Sequence, residues 1–202
     1  MSVRIKICGV TRIEDALLAI ACGADIIGLN FYPPSPRALS LERAQAIRDA
    51  ISDRCEVAGV FVNATREYIE ERLRELSLDL LQFHGDEDDD ALRGWPVKVI
   101  RALRLREGEA LDTYAHNEAD YVLVDTFRPD LYGGTGRTRG LDALAGADLD
   151  RVFISGGLSP SNVAAAVKLK PFGVDVASGV ESAPGIKDAE KLRSFIANAK
   201  SA

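Results

Sequence analysis

Two hydrophobic periods alternate along this chain. Short aliphatic and β-branched runs at 3–7, 25–31, 56–62, 78–83, 97–103, 121–124, 151–154 and 173–176 predict eight strands. Apolar residues recur at helical spacing over 13–22, 41–51, 66–76, 88–93, 107–116, 141–144, 160–169 and 189–199, which predicts a helix after each strand. Start signals support several of them: Ser40 stands before Leu41, Ser159 and Pro160 open the seventh, and Asp188 lies just ahead of the Lys191, Leu192 pair. The acidic run GDEDDD at 85–90 reads as a solvated helix start whose charges suit the helix dipole.

Repeated βα units build a parallel sheet, either open and doubly wound or closed. An open dinucleotide fold should carry GxGxxG after its first strand, and CGVTRIED does not supply it. Eight units in 202 residues, with no Gly/Ser or Pro-rich linker, predict an α/β fold consisting of a single (β/α)8 TIM barrel domain over 1–202.

Composition then narrows the partners. A net charge of −6 argues against a nucleic-acid or anionic-membrane surface, while leaving room for a local anion pocket. No run approaches the roughly 18 apolar residues of a membrane span, and MSVRIKICGV is too short and too alternating for a secretory segment, so a cytoplasmic protein is expected. Three cysteines, Cys8, Cys22 and Cys55, form no CxxC pair, so reduced thiols and no metal site are predicted. The surface faces carry no broad apolar stripe, which points to a monomer, with a homodimer left open.

In a barrel of this kind reactive groups sit at the C-terminal ends of strands and in the loops that follow. Period two puts Arg4, Lys6 and Cys8 on one face of the first strand and Val3, Ile5 and Ile7 on the other. The aliphatic set should meet the helices, so the cations and the thiol point inward. Buried cations need partners, and Asp175 on the adjoining eighth strand is the expected partner of Lys6. Asp125 ends the sixth strand on the inward parity. A carboxyl and a thiol facing one cavity suit an isomerisation that needs both an acid and a base, the thiol acting as thiolate beside a cation such as Lys6. The bland alternatives are a small buried cysteine and a turn-capping aspartate.

Glycine clusters follow strands six, seven and eight as YGGTGRT, SGGLSPSN and ASGVESAPG. Backbone approaches a ligand closely at glycine, and the last two loops are the recurrent phosphate position of the fold. Gly156, Gly157, Ser178 and Gly179 are therefore the predicted phosphate cradle, with Gly134 a further backbone contact. Three prolines in NFYPPSPRALS stiffen a loop that holds Arg37 outward, where its fork could grip a ligand carboxylate; an ordinary surface arginine is the alternative. His84, at the end of strand four, either lines the pocket or bonds to backbone. The implied partner is a small phosphorylated molecule.

The segments KICGVT, GLNFYPPSPR, GVFVN, LQFHGDE, VDT with GGTG, ISGGLSPSNV and GVDVASGVESAPGIKD, taken in order, resemble the phosphoribosylanthranilate isomerases of tryptophan biosynthesis. The resemblance implies a (β/α)8 enzyme that performs an Amadori rearrangement without metal or organic cofactor. It also implies Cys8 as general base, Asp125 as general acid and Arg37 as the site for the anthranilate carboxylate. The related aldose-ketose isomerase of histidine biosynthesis resembles a two-aspartate arrangement, whereas strand one here ends in cysteine. A dual-substrate isomerase and a non-catalytic phosphate-binding barrel remain as alternatives.

Overall fold

Eight parallel strands close on themselves in chain order in the computed structural model, which describes residues 2–104, 118–125, 141, 144 and 146–202. They are β1 (Arg4–Cys8), β2 (Ile26–Asn30), β3 (Glu56–Phe61), β4 (Leu80–Phe83), β5 (Lys98–Arg104), β6 (Tyr121–Asp125), β7 (Val152–Ser155) and β8 (Gly173–Val176). The last pairs with the first, with Lys6 in register with Asp175. All eight fall within a residue or two of the hydrophobic runs, because the strand positions that meet the helices must be apolar. A small antiparallel ribbon, β9 (Glu181–Ala183) with β10 (Ile186–Lys187), follows β8 and was not signalled by any hydrophobic run.

The helices α1 (Ile13–Cys22), α2 (Leu41–Ile51) and α3 (Arg66–Leu76) span the residues their spacing predicts. Ser40 caps α2 by accepting from the Arg43 amide, and Asp188 caps α5 (Ala189–Lys200) through the amides of Glu190 and Lys191. Two expectations need correction. Residues 88–93 form only a 3-10 turn, Asp90–Leu92, because Gly94 takes a left-handed φ of 73° and Pro96 follows. The helix expected over 160–169 shortens to α4 (Val163–Val167), since the Asn162 side chain accepts from the Ser159 amide and holds 159–162 as a turn. The expected helix at 107–116 lies outside the described residues, as does 141–144 apart from Leu141 and Leu144.

Apolar side chains separate into two bodies on either side of the sheet. Ile5, Ile7, Ile27, Leu29, Val122, Val124 and Val174 join the helix residues Ala16, Ala19, Ile47 and Leu192 outside the barrel. Ile26, Ala58, Leu80, Ile100, Leu123 and Phe153 fill its interior, with Tyr121 and Phe172 packed against them. Alternation within each strand produces this division. The interior parity of β1 is therefore Arg4, Lys6, Cys8, as expected.

At the opposite end from the strand termini, three aspartates repeat one bond. Asp25, Asp79 and Asp120, each just before an even-numbered strand, accept from the amides of Ile5, Val57 and Val99 at 2.8 Å in the strand before. Each ties two neighbouring strands where their ladder begins.

Candidate active site

Lys6 is fully buried, and its ammonium donates to Asp175 Oδ1 at 2.7 Å. Burial opposes that charge, yet Asp175 and Cys8, which is also a hydrogen-bond partner, hold the group above its ordinary value. The predicted ion pair is thus present. Asp175 Oδ2 accepts from Ser155 Oγ at 2.8 Å, and Ser155 lies in register with Asp125 at the end of β6. A polar arc runs along the strand ends from Asp125 through Ser155 and Asp175 to Lys6 and Cys8. Cys8 and Asp125 come from strands with two others between them, and both are half-buried at the C-terminal ends. A Cβ built on Gly28, the register partner of Cys8, would lie 3.0 Å from the Cys8 sulfur and 3.1 Å from Lys6 Nζ, which shows how closely these two groups gather.

The glycine loops after β7 and β8 meet. A Cβ on Gly179 would fall 1.8 Å from the Leu158 carbonyl oxygen, a contact that only glycine permits. Gly156 and Gly157 hold φ of 80° and 64°, which turns the chain sharply after β7, and Asn162 Nδ2 fixes that turn by donating to Gly157 O at 3.0 Å. Ser178 begins a 3-10 turn, Ser178–Val180, directly after β8. The four predicted cradle residues therefore stand in two adjoining loops at one side of the mouth. Gly134 lies outside the described residues.

Arg37 does not point away from the body. Its Nε and Nη2 donate to Glu181 Oε1 and Oε2 at 2.8 and 2.6 Å, and its methylene chain covers Gly9. His84 caps β4 with Nδ1 2.9 Å from Gln82 Nε2. Two buried residues complete the mouth and were not singled out by sequence. Lys187 Nζ donates to the carbonyls of Cys8 and Ala177 at 2.6 and 3.1 Å and to Glu181 Oε1 at 3.0 Å. Burial pushes that ammonium below its usual value, opposed by Glu181 and Cys8. Glu181 is held below the usual carboxylate range, because Arg37 and Lys187 outweigh the burial that would raise it. The charges in VESAPGIKD around a Pro-Gly turn were the available signal.

The N-(5'-phosphoribosyl)anthranilate isomerase family matches over residues 5–198. The chain belongs to that family. It is 45% identical over 204 residues to the N-(5'-phosphoribosyl)anthranilate isomerase of Azotobacter vinelandii, covering 100% of this chain and 99% of that one. The crystal structure of phosphoribosyl anthranilate isomerase from Thermotoga maritima superposes with a TM-score of 0.89 at 36% identity, covering 99% of this chain and 100% of that one. A phosphoribosyl anthranilate isomerase solved with reduced 1-(o-carboxyphenylamino)-1-deoxyribulose 5-phosphate gives a TM-score of 0.83 at 35% identity, with 99% and 100% covered. The family resemblance and the (β/α)8 fold read from the sequence are both borne out.

Proposed function

We propose that this chain isomerises N-(5-phosphoribosyl)anthranilate to 1-(2-carboxyphenylamino)-1-deoxyribulose 5-phosphate in tryptophan biosynthesis. Family membership names the reaction, and the observation that carries the mechanism is the inward thiol of Cys8 beside the buried Lys6 ammonium, on the same rim as Asp125. Asp125, as the acid, protonates the furanose ring oxygen as the anilino nitrogen pushes the ring open to a Schiff base. Cys8, as thiolate, removes the C2 proton, and the resulting enolamine tautomerises to the ketone. The enzyme ends with a thiol and a carboxylate, and proton exchange with solvent restores the starting forms.

Arg37 binds the anthranilate carboxylate, and the amides around Gly156, Gly157, Ser178 and Gly179 receive the phosphate, with Gly134 and His84 as further contacts. No organic cofactor or metal enters these steps. A cytoplasmic monomer is the proposed setting. No helix among the described residues is long and apolar enough to cross a membrane, and among them only Ile13, Tyr32 and Ile186 are large exposed apolar side chains.

A fluorescence assay of substrate consumption tests the assignment. Cys8→Ser and Asp125→Asn should each lower kcat by about 100-fold or more, while the reduced product analogue binds within a few-fold of the wild-type affinity. Wild-type turnover in either variant would remove that residue from the chemistry. A protein that binds the analogue but never turns over the substrate would be a binding barrel.

A further inference from the structure

We propose that Glu181 is the positioning residue for Arg37, holding one edge of the guanidinium so that the other is aimed at the substrate carboxylate. The inference rests on the carboxylate-binding reading of Arg37 and adds how that arginine selects its ligand. A guanidinium has two edges able to meet a carboxylate with paired hydrogen bonds, one side-on through Nε and Nη2 and one end-on through Nη1 and Nη2. Glu181 fills the side-on edge with both oxygens, at 2.8 and 2.6 Å. Nη1 has no partner among the described residues, so the end-on edge is the one left to a ligand.

Glu181 is suited to stay in place. Its side chain is only 5% exposed, against 21% for Arg37, and Oε1 also accepts from Lys187 Nζ at 3.0 Å and from the Gly185 amide at 3.3 Å. Lys187 in turn holds the carbonyl of Cys8. The arginine is also fixed from below, since a Cβ on Gly9 would lie 2.4 Å from Arg37 Cδ. Its own amide donates to Ser35 Oγ at 3.2 Å. One carboxylate therefore links the guanidinium to the backbone that carries the thiol. A substrate carboxylate that docks end-on is set at a fixed reach from Cys8, and a ligand lacking it gains nothing from the pair. The opposing reading makes Glu181 a competitor that must release Arg37 before substrate binds. The two differ in sign.

Steady-state kinetics of Glu181→Gln and Glu181→Ala decide between them, together with binding of the reduced product analogue and of the same compound without its ring carboxyl. Positioning predicts KM raised about tenfold with kcat changed less than about threefold, weaker binding of the carboxylated analogue, and unchanged binding of the decarboxylated one. In an Arg37→Ala background the Glu181→Gln effect should vanish. A lowered KM in Glu181→Gln would show competition and overturn the proposal, as would an equal loss of affinity for both analogues. If Arg37→Ala itself leaves KM unchanged, the carboxylate-binding reading falls and the inference falls with it. If Arg37→Ala raises KM and Glu181→Gln does not, only the inference falls.

Discussion

Cys8 and Cys55 are both half-buried, yet their surroundings separate them chemically. Burial, with Asp79 and Glu56 adding to it, pushes the Cys55 thiol up to about 11 despite Arg48 and Arg54. Cys8 instead faces the Lys6 ammonium. Thiolate is the reactive form, so iodoacetamide near pH 8 should alkylate Cys8 well before Cys55, with activity lost in step and the reduced product analogue slowing both events. Peptide mapping checks the site of modification. Inactivation that the analogue does not slow would place Cys8 outside the pocket. This half of the site was legible in the sequence because strand parity decides which way residues 4, 6 and 8 face. Glu181 was not legible, since it meets Arg37 across 144 positions of chain only after the β9–β10 ribbon has folded. The prolines near Arg37 signalled a stiff loop but not the direction in which it lies.

At the scale of elements, the strands were readable as short runs of aliphatic and β-branched residues, and helices α1 to α3 because they are ten or more residues long with clear periodicity. One short piece was misread because a side-chain bond to the backbone delays the helix start, as Asn162 does ahead of α4. The aspartates before β2, β4 and β6 had no signal beyond their identity, because their partners are amides in another strand. Asp79→Ala should strip the Val57 amide of its 2.8 Å acceptor and lower unfolding free energy by about 1–3 kcal/mol, measured by urea denaturation. Asp79→Asn, which keeps an oxygen, should cost less. Asp53, fully exposed with a 3.5 Å contact to Arg48, serves as the control. Equal stability of Asp79→Ala and wild type would mean that water replaces the carboxylate at no cost.

For the whole molecule, closure of the barrel brings β8 against β1 and seats Lys6 on Asp175, 169 positions apart. Buried pairs are expensive to desolvate, so removing one partner is far more damaging than removing both. Lys6→Met leaves the Asp175 charge with Ser155 Oγ as its remaining hydrogen-bond partner in this network and should cost about 3–5 kcal/mol of unfolding free energy. In Lys6→Met/Asp175→Asn the orphaned charge is gone, and most of that loss should return. Turnover should not return with it, because Cys8 has lost the cation it is hydrogen-bonded to. The pH dependence has a definite sign. Lys6 is held above its unfolded value, so its contribution is fully present below about 10.4 and is lost only as pH rises through the higher folded value. On the alkaline side, the stability gap between wild type and Lys6→Met should therefore persist from neutral pH upward and begin to close in strong alkali. If the double variant regained activity along with stability, Lys6 would be structural alone, and the thiol would have to draw its reactivity from another group, such as Lys187, whose ammonium donates to the Cys8 carbonyl.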